Sequence, residues 1–172
     1  TTGKPETDQS SMGLYLYDGT PERRLVTRGA FNGQFEIPPG ARDFPVSDDH
    51  QVWPGEVTLY SMSPHMHYRG SRFKYIAEYP SGTEEVLLSV PNYNFDWQTA
   101  YVLKKPKVLP AGTIIRCEGA FDNAATNPFN PNPADTVVFG DQTYEEMFIG
   151  YMHYSAPTGS IVRAQERWLK RR

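Results

Sequence analysis

The chain has 172 residues, a length typical of one domain with a single buried core. Its 15 prolines and 14 glycines argue against long helices, and aromatic residues, which favour strands, make up 13% of it. The formal net charge of -3 provides no basic field for nucleic acid, and no apolar run reaches the ~18 residues of a membrane-spanning helix. We therefore expect an all-β domain that binds neither nucleic acid nor membrane.

Alternating apolar and polar residues predict short strands along most of the chain. The predicted strands cover residues 12–17, 34–37, 57–62, 73–79, 85–90, 113–121 and 146–154. The strands at 73–79 and 85–90 form the clearest hairpin, because the turn sequence Pro80-Ser81-Gly82 lies between them.

Two other segments complete the predicted architecture. Residues 121–135 are rich in Asn and Pro and predict a long irregular loop. The only predicted helix covers 161–172, within a C-terminal tail at 156–172. We interpret residues 1–172 as a single antiparallel β-sandwich domain of the jelly-roll type.

A His-X-His motif follows the predicted strand at 57–62. In an extended backbone His65 and His67 point to the same side, with Cα atoms ~6 to 7 Å apart. Two imidazoles at that spacing can bind one metal ion, because metal–nitrogen bonds are about 2 Å long. The alternative interpretation is a pair of surface histidines beside a turn.

The last predicted strand offers two candidates for a third ligand. Met147 and His153 share one face but lie six residues apart, roughly 20 Å along a straight strand, so only one can bind the same ion. A site of three histidines would suit zinc or copper. Two histidines with a methionine would favour copper, because a thioether is a soft ligand for Cu(I). These residues alone leave both sets open, and Met147 would also suit an ordinary core position.

The single cysteine argues against a blue-copper site. Such a site needs a Cys thiolate beside two histidines, and no His or Met follows Cys117 closely. We predict that Cys117 is a small buried side chain on the inner face of its strand.

Three segments of the sequence together resemble a known enzyme family. They are His65-Met66-His67 followed by Gly70, the run FDN at 121–123 with Asn127-Pro128 and Asn130-Pro131 in the loop after it, and GDQTYEEM at 140–147. In this combination they resemble the type II copper, ascorbate-dependent monooxygenases, represented by peptidylglycine α-hydroxylating monooxygenase and dopamine β-monooxygenase. The resemblance is to the C-terminal catalytic domain and covers about residues 2–155. It begins at TGKP, residues 2–5, which looks like the stretch that leaves the family's first domain.

The resemblance implies a copper site and a reaction. His65, His67 and Met147 correspond to the ligands of the catalytic copper, where oxygen is bound and a substrate C–H bond is hydroxylated. Tyr151 corresponds to an aromatic hydroxyl at the substrate site, four residues beyond the methionine. The expected substrates are molecular oxygen and a small organic molecule.

The sequence departs from the family at the substrate anchor. The peptide-hydroxylating member holds its substrate carboxylate with an Arg and an Asn, and Ser63 and Ile149 stand at those positions. Without the arginine, bidentate recognition of a carboxylate loses its charged partner. A glycine-extended peptide is therefore not the expected substrate. The family's C-terminal disulfides are also absent, since Cys117 has no internal partner.

The resemblance further implies a partner domain and a location. In the family a preceding domain carries a second, all-histidine copper, which relays an electron from ascorbate. We therefore expect this chain to be the C-terminal half of a longer two-copper protein, periplasmic or secreted. One alternative is a non-enzymatic copper-binding or electron-transfer module without the second copper. Another is a binding domain with a zinc site of His65, His67 and His153.

Overall fold

The computed structural model describes residues 3–48 and 51–160, and the regular secondary structure in this part of the chain is almost all β-strand. In chain order the strands are β1 (Arg23–Asn32), β2 (Glu36–Ile37), β3 (Phe44–Ser47), β4 (Gln51–Val52), β5 (Val57–His65), β6 (Gly70–Glu78), β7 (Glu84–Val90), β8 (Tyr101–Leu109), β9 (Ile114–Phe121), β10 (Val137–Val138) and β11 (Phe148–Pro157). Within these residues, no helix has the length and apolar character needed to cross a membrane.

The strands form two main antiparallel sheets. The first sheet has the order β1-β11-β5-β8. The second has the order β3-β9-β6-β7, with β4 also paired to β9, and β2 pairs with β10 in a small separate ribbon. The expected all-β fold of antiparallel sheets packed together is confirmed. The jelly-roll topology is a finer expectation and stays a prediction.

The inner faces of the two sheets supply the hydrophobic core. Met62 of β5 and Met152 of β11 pair directly, and both are fully buried. Phe148, at the start of β11, stacks on Phe73 of β6 with ring centroids 4.6 Å apart, so this pair joins the two sheets. Removing such apolar surface from water stabilises the fold by about 25 cal/mol per Å².

Cys117 lies in the same core, on β9 opposite Tyr75 of β6. It is fully buried, and its backbone N–H donates to the carboxylate of Asp48 at 2.8 Å. Burial raises the pKa of the Cys117 thiol well above its usual range. The prediction of a small buried side chain on the inner face is confirmed.

One predicted strand is wrong. Residues 12–17 form no strand, and side chains such as Tyr15 and Leu16 are exposed despite the alternating pattern. A strand is stabilised by the neighbour with which it pairs. The position beside β11 is occupied by β1, which begins at Arg23.

Two long strands were not predicted. Both β1 and β8 lie at the edges of the first sheet, where one side of the backbone has no partner strand within that sheet. Edge strands carry charged residues and tolerate proline, and β8 contains Lys104, Lys105 and Pro106. The alternation of apolar and polar residues in β1 and β8 is therefore weak.

The remaining elements follow the sequence more closely. The β6–β7 hairpin is confirmed, and the predicted strand at 113–121 corresponds to β9. The irregular loop is confirmed, since residues 122–135 contain no strand or helix. The predicted strand at 34–37 shortens to β2, and β11 continues to Pro157, two residues into the range assigned to the tail. The predicted helix at 161–172 lies outside the described residues.

Close packing between the sheets makes Gly150 of β11 sensitive to substitution. A Cβ at this position would lie 2.5 Å from Cys117 Sγ and 2.9 Å from Tyr75 Cε1. We expect Gly150→Ala to lower the free energy of unfolding by about 1–3 kcal/mol, because overpacking strains the core. Chemical denaturation measures this change. The matched control is Gly55→Ala, whose Cβ would meet nothing within 4 Å. Equal stability of the two variants would contradict the described packing.

Candidate metal centre

The two histidines of the His-X-His motif lie side by side at one end of the first sheet. His65 is the last residue of β5 and pairs with Ile149 of β11, and His67 follows two residues later. Their ring centroids are 5.2 Å apart, with the ring planes at 84°. One metal ion can bind both imidazoles at this separation, with a metal–nitrogen bond of about 2 Å to each ring.

A glutamine fixes the tautomer of His65. Gln98 donates its side-chain N–H to the carbonyl of Phe95 at 2.9 Å, which turns its own amide oxygen toward the imidazole. That oxygen lies 2.6 Å from His65 Nδ1 and can only accept, so Nδ1 donates. In the neutral ring the lone pair is then on Nε2, the atom available to a metal ion.

The backbone fixes His67 in the same way. His67 Nδ1 lies 3.2 Å from the carbonyl oxygen of Glu145, which makes Nδ1 the donor and leaves the lone pair on Nε2. The residue is buried, and desolvation lowers the pKa of His67 below 6.5. The neighbouring His65 acts in the same direction, whereas the Glu145 and Gln142 carbonyls and the Glu145 charge oppose it. Burial thus favours the neutral, metal-binding form of this ring.

Met147 lies directly before β11 and is half-buried. Directly paired residues of an antiparallel pair share a face, so Ile149 and His65 lie on the same side of the sheet. Met147 precedes Ile149 by two residues and follows the Glu145 carbonyl that contacts His67 by two residues. The sulfur-bearing residue therefore belongs to the chain segment that passes beside the imidazole pair.

Tyr151 lies one step further along the same face. It pairs with Ser63, and its ring centroid is 6.4 Å from that of His65. On the neighbouring strand β1, Tyr151 pairs with Gly29. A Cβ atom added at Gly29 would lie 3.7 Å from the tyrosine ring, so the ring packs close to this glycine. Tyr151 is about one-third exposed, so a molecule on this surface can contact both Tyr151 and His65.

His153 lies on the same face but away from the pair. It pairs with Ser61, four residues along β5 from His65, which corresponds to roughly 13 Å. Its ring nitrogens contact other side chains, Nδ1 with Thr27 Oγ1 at 2.9 Å and Nε2 with Ser63 Oγ at 3.4 Å. This placement weighs against the three-histidine zinc alternative. In the described part of the chain, no group of three His, Cys, Asp or Glu side chains is arranged to hold a metal ion.

Cys117 lies on the opposite side of the first sheet from the histidines. Its sulfur approaches Gly150, whose neighbour Ile149 pairs with His65 on the outer face. Successive residues of a strand face opposite sides, so the thiol and the imidazoles are separated by the sheet itself. This arrangement agrees with the argument against a blue-copper site.

The structure also brings in a buried carboxylate that the sequence did not indicate. Glu146 is fully buried, and its two oxygens accept the backbone N–H groups of His67 at 2.8 Å and Arg69 at 2.6 Å. Desolvation raises the pKa of Glu146 to about 7, and these donors and the Arg69 charge oppose that shift. The only local sequence signal for this carboxylate was the adjacent pair Glu145-Glu146. Neighbouring residues of a strand face opposite sides, but this does not show which of the two is buried.

A cleft with Phe95 in its wall lies near the histidines. Its volume is about 240 Å³, and aromatic rings form much of its wall, including Tyr68, Tyr93 and Phe129. The Phe95 ring is near both regions, because its centroid lies 6.1 Å from that of His67 and 4.6 Å from that of Tyr68. Neither Tyr151 nor Ile149 lines this cleft, so the cleft and the face that carries Tyr151 are separate surfaces.

The comparisons with known proteins add no relative. No protein-family model matches the chain, and no curated protein matches it. The family resemblance therefore rests on the sequence motifs alone.

The burial of His67 predicts its titration in the metal-free protein. We expect the His67 midpoint below pH 6.5, and NMR of the imidazole signals measures it. Below that pH the unfolded chain binds a proton at His67 that the folded chain does not. The neutral His67 ring therefore contributes its full share to the free energy of unfolding above about pH 6.5. This contribution is lost as the pH falls through the pKa of His67 in the folded protein. A folded midpoint at or above that of the urea-unfolded chain would contradict the described burial.

Proposed function

We propose that this chain is the oxygen-activating domain of a copper-dependent monooxygenase, with copper bound by His65, His67 and Met147. The observation that carries the proposal is the neighbouring imidazole pair, in which each Nδ1 donates to a carbonyl oxygen. Histidine ligands of metals typically have this second hydrogen bond, which orients the ring and directs the Nε2 lone pair.

The donor set fits copper better than a hard cation. Imidazole nitrogen suits copper, and thioether sulfur is a soft ligand that favours Cu(I). Two histidines and one methionine would leave a coordination position open for oxygen. Copper, when bound, would supply the redox chemistry that inserts one oxygen atom into a C–H bond and releases the other as water, with two electrons and two protons from an external reductant.

The chain's own residues would orient the ligands and hold the substrate. Gln98 and the Glu145 carbonyl fix the two rings, so little reorganisation is needed when a metal ion binds. Tyr151 lies beside His65 on an exposed face, where its ring and hydroxyl can contact a small molecule. Tyrosine suits this role because it offers apolar surface and a hydrogen-bonding group together.

The strands around the site favour an uncharged substrate. Neither β5 nor β11 contains an Asp, Glu, Lys or Arg residue. Ser63 and Tyr151 pair where the resembling family has an arginine and a tyrosine, so a substrate carboxylate would find no guanidinium on these strands. The substrate class proposed here is a small, neutral organic molecule.

The rest of the proposed reaction system lies outside this chain. An electron-transfer copper domain preceding residue 1 would deliver electrons from ascorbate, and the protein would act outside the cytoplasm. The competing proposal is a copper-binding or electron-transfer module that cycles between Cu(I) and Cu(II) without oxygenating a substrate.

The histidine ligands can be tested by copper binding to the full chain. We expect one copper per chain and a loss of binding in His65→Ala/His67→Ala, because both nitrogen ligands are removed. His153→Ala is the matched control, since it removes a histidine from the same face roughly 13 Å away. Equilibrium dialysis with metal analysis measures the stoichiometry. Copper binding by the double variant as tight as that of the parent would contradict the ligand assignment.

Met147→Ala tests the thioether and separates the two proposed functions. We expect a larger loss of affinity for Cu(I) than for Cu(II), because sulfur prefers the softer ion. With a small chemical reductant in excess to replace the proposed electron-transfer domain, ¹⁸O₂ and a set of small uncharged molecules, labelled hydroxylated product should form with the parent and fall with the variant. Met12→Ala, which removes an exposed methionine, is the control. Equal losses for both oxidation states would contradict the role of Met147, whereas redox cycling without labelled product would favour the electron-transfer module.

A further inference from the structure

The Glu146 carboxylate connects two segments that the sheets do not hold. The β5 ladder ends at His65 and β6 begins at Gly70, so His67 lies in the connection between them. On the other side β11 begins at Phe148, so Met147 also lies outside the ladder. Both predicted ligands therefore depend on other contacts for their position.

Glu146 supplies those contacts from a fully buried position. One oxygen accepts the N–H of His67 at 2.8 Å, and the other accepts the N–H of Arg69 at 2.6 Å. Met147 is the residue that directly follows Glu146 in the chain. The two bonds of this carboxylate therefore tie the backbone at His67 to the segment that carries Met147. Because each oxygen accepts one N–H, these two bonds favour the ionised carboxylate.

Arg69 in turn anchors this arrangement to the surrounding loops. It is fully buried, donates Nε–H to Asn123 Oδ1 at 2.9 Å, and donates from Nη1 to the carbonyl of Tyr144 at 2.8 Å. Asn123 donates to the carbonyls of Pro38 and Asp135, both at 2.9 Å. The connection containing His67 is therefore tied to the long loop and to the segment before Met147.

We propose that Glu146 is a positioning residue that holds His67 and Met147 in one fixed geometry. The role requires a carboxylate, because each oxygen accepts a different N–H group. A glutamine has only one acceptor oxygen, and its NH₂ group would face the second donor. His65 does not depend on Glu146, since it is held by the β5–β11 ladder and by Gln98.

Glu146→Gln in the full chain tests this role without any metal. NMR of the imidazole nitrogens in the metal-free protein reports the tautomer of each histidine. We expect the His67 ring to lose its single Nδ1–H form, because its distance to the Glu145 carbonyl is no longer fixed. His65 should keep the signals of the parent. Glu145→Gln is the matched control, since it removes the adjacent charge but keeps the carbonyl that His67 contacts.

A second readout is Cu(I) affinity, measured by competition with a chelator. Loss of a group that orients metal ligands typically weakens binding by about 10–100-fold, and we expect a loss of that size in Glu146→Gln and none in Glu145→Gln. Only this readout rests on the proposed function. If the parent binds no copper, the proposed function fails, while the metal-free tautomer measurement still decides the role of Glu146.

Three results would overturn the proposal. The first is a folded Glu146→Gln protein with the parent's His67 tautomer and Cu(I) affinity. The second is an equal change in Glu145→Gln, which would assign the effect to local charge. If Glu146→Gln does not fold, Glu146→Asp keeps the charge on a shorter side chain, and the same change at His67 is expected. Parent-like His67 signals in the folded aspartate variant would be the third overturning result.

Discussion

The pairing of β5 with β11 determines which side of the first sheet each candidate residue faces. Ile149 lies opposite His65, so Tyr151 and Ser63 share the outer face, while Met62 and Met152 face the core. A shift of the register by one residue would exchange the two faces, burying an imidazole and exposing a methionine. Exposing the core methionines to water would be unfavourable, so burial of the inner face keeps the register in place. The same register keeps His65, Ser63 and Tyr151 on the outer face.

Beyond the ladder, the site depends on polar contacts from distant parts of the chain. Gln98 approaches His65 from the segment before β8, and Glu146 approaches the His67 backbone from the segment before β11. Each contact joins elements that are far apart in sequence. Buried carboxylates are retained in proteins when they are hydrogen-bonded, and both oxygens of Glu146 meet this condition. The sheet thus positions His65, and hydrogen bonds from Glu145 and Glu146 position His67.

The sequence predicted the parts of the fold that depend on local pattern. The β6–β7 hairpin follows from alternation and a Pro-Ser-Gly turn, and Cys117 was placed on the inner face of β9 by the same period of two. The pattern failed at residues 12–17, where alternation occurs without a pairing partner, and at β1 and β8, where edge positions accept charge. Pairing is a tertiary property, so it has no reliable signal within a short segment.

For the candidate site, the sequence predicted the residues but not their support. Extended backbone geometry predicted that His65 and His67 lie close together, and alternation over residues 146–154 predicted that Met147, Ile149 and Tyr151 share a face. In the structure β11 begins at Phe148, so its alternation applies to Ile149 and Tyr151 but not to Met147. Gln98 and Glu146 have no such signal, because their roles depend on which distant backbone groups they contact. The same alternation also placed His153 on this face. Only the strand register shows that His153 pairs with Ser61, four residues before His65.

The edge strand β8 has a consequence for the behaviour of the protein at high concentration. Lys104 and Lys105 are exposed on this strand, and Pro106 beside them has no N–H to offer a further strand. A second molecule adding its own β8 there would bring like charges together and miss a ladder hydrogen bond. This border of the sheet is therefore protected against the intermolecular strand addition that leads to amyloid-like aggregates.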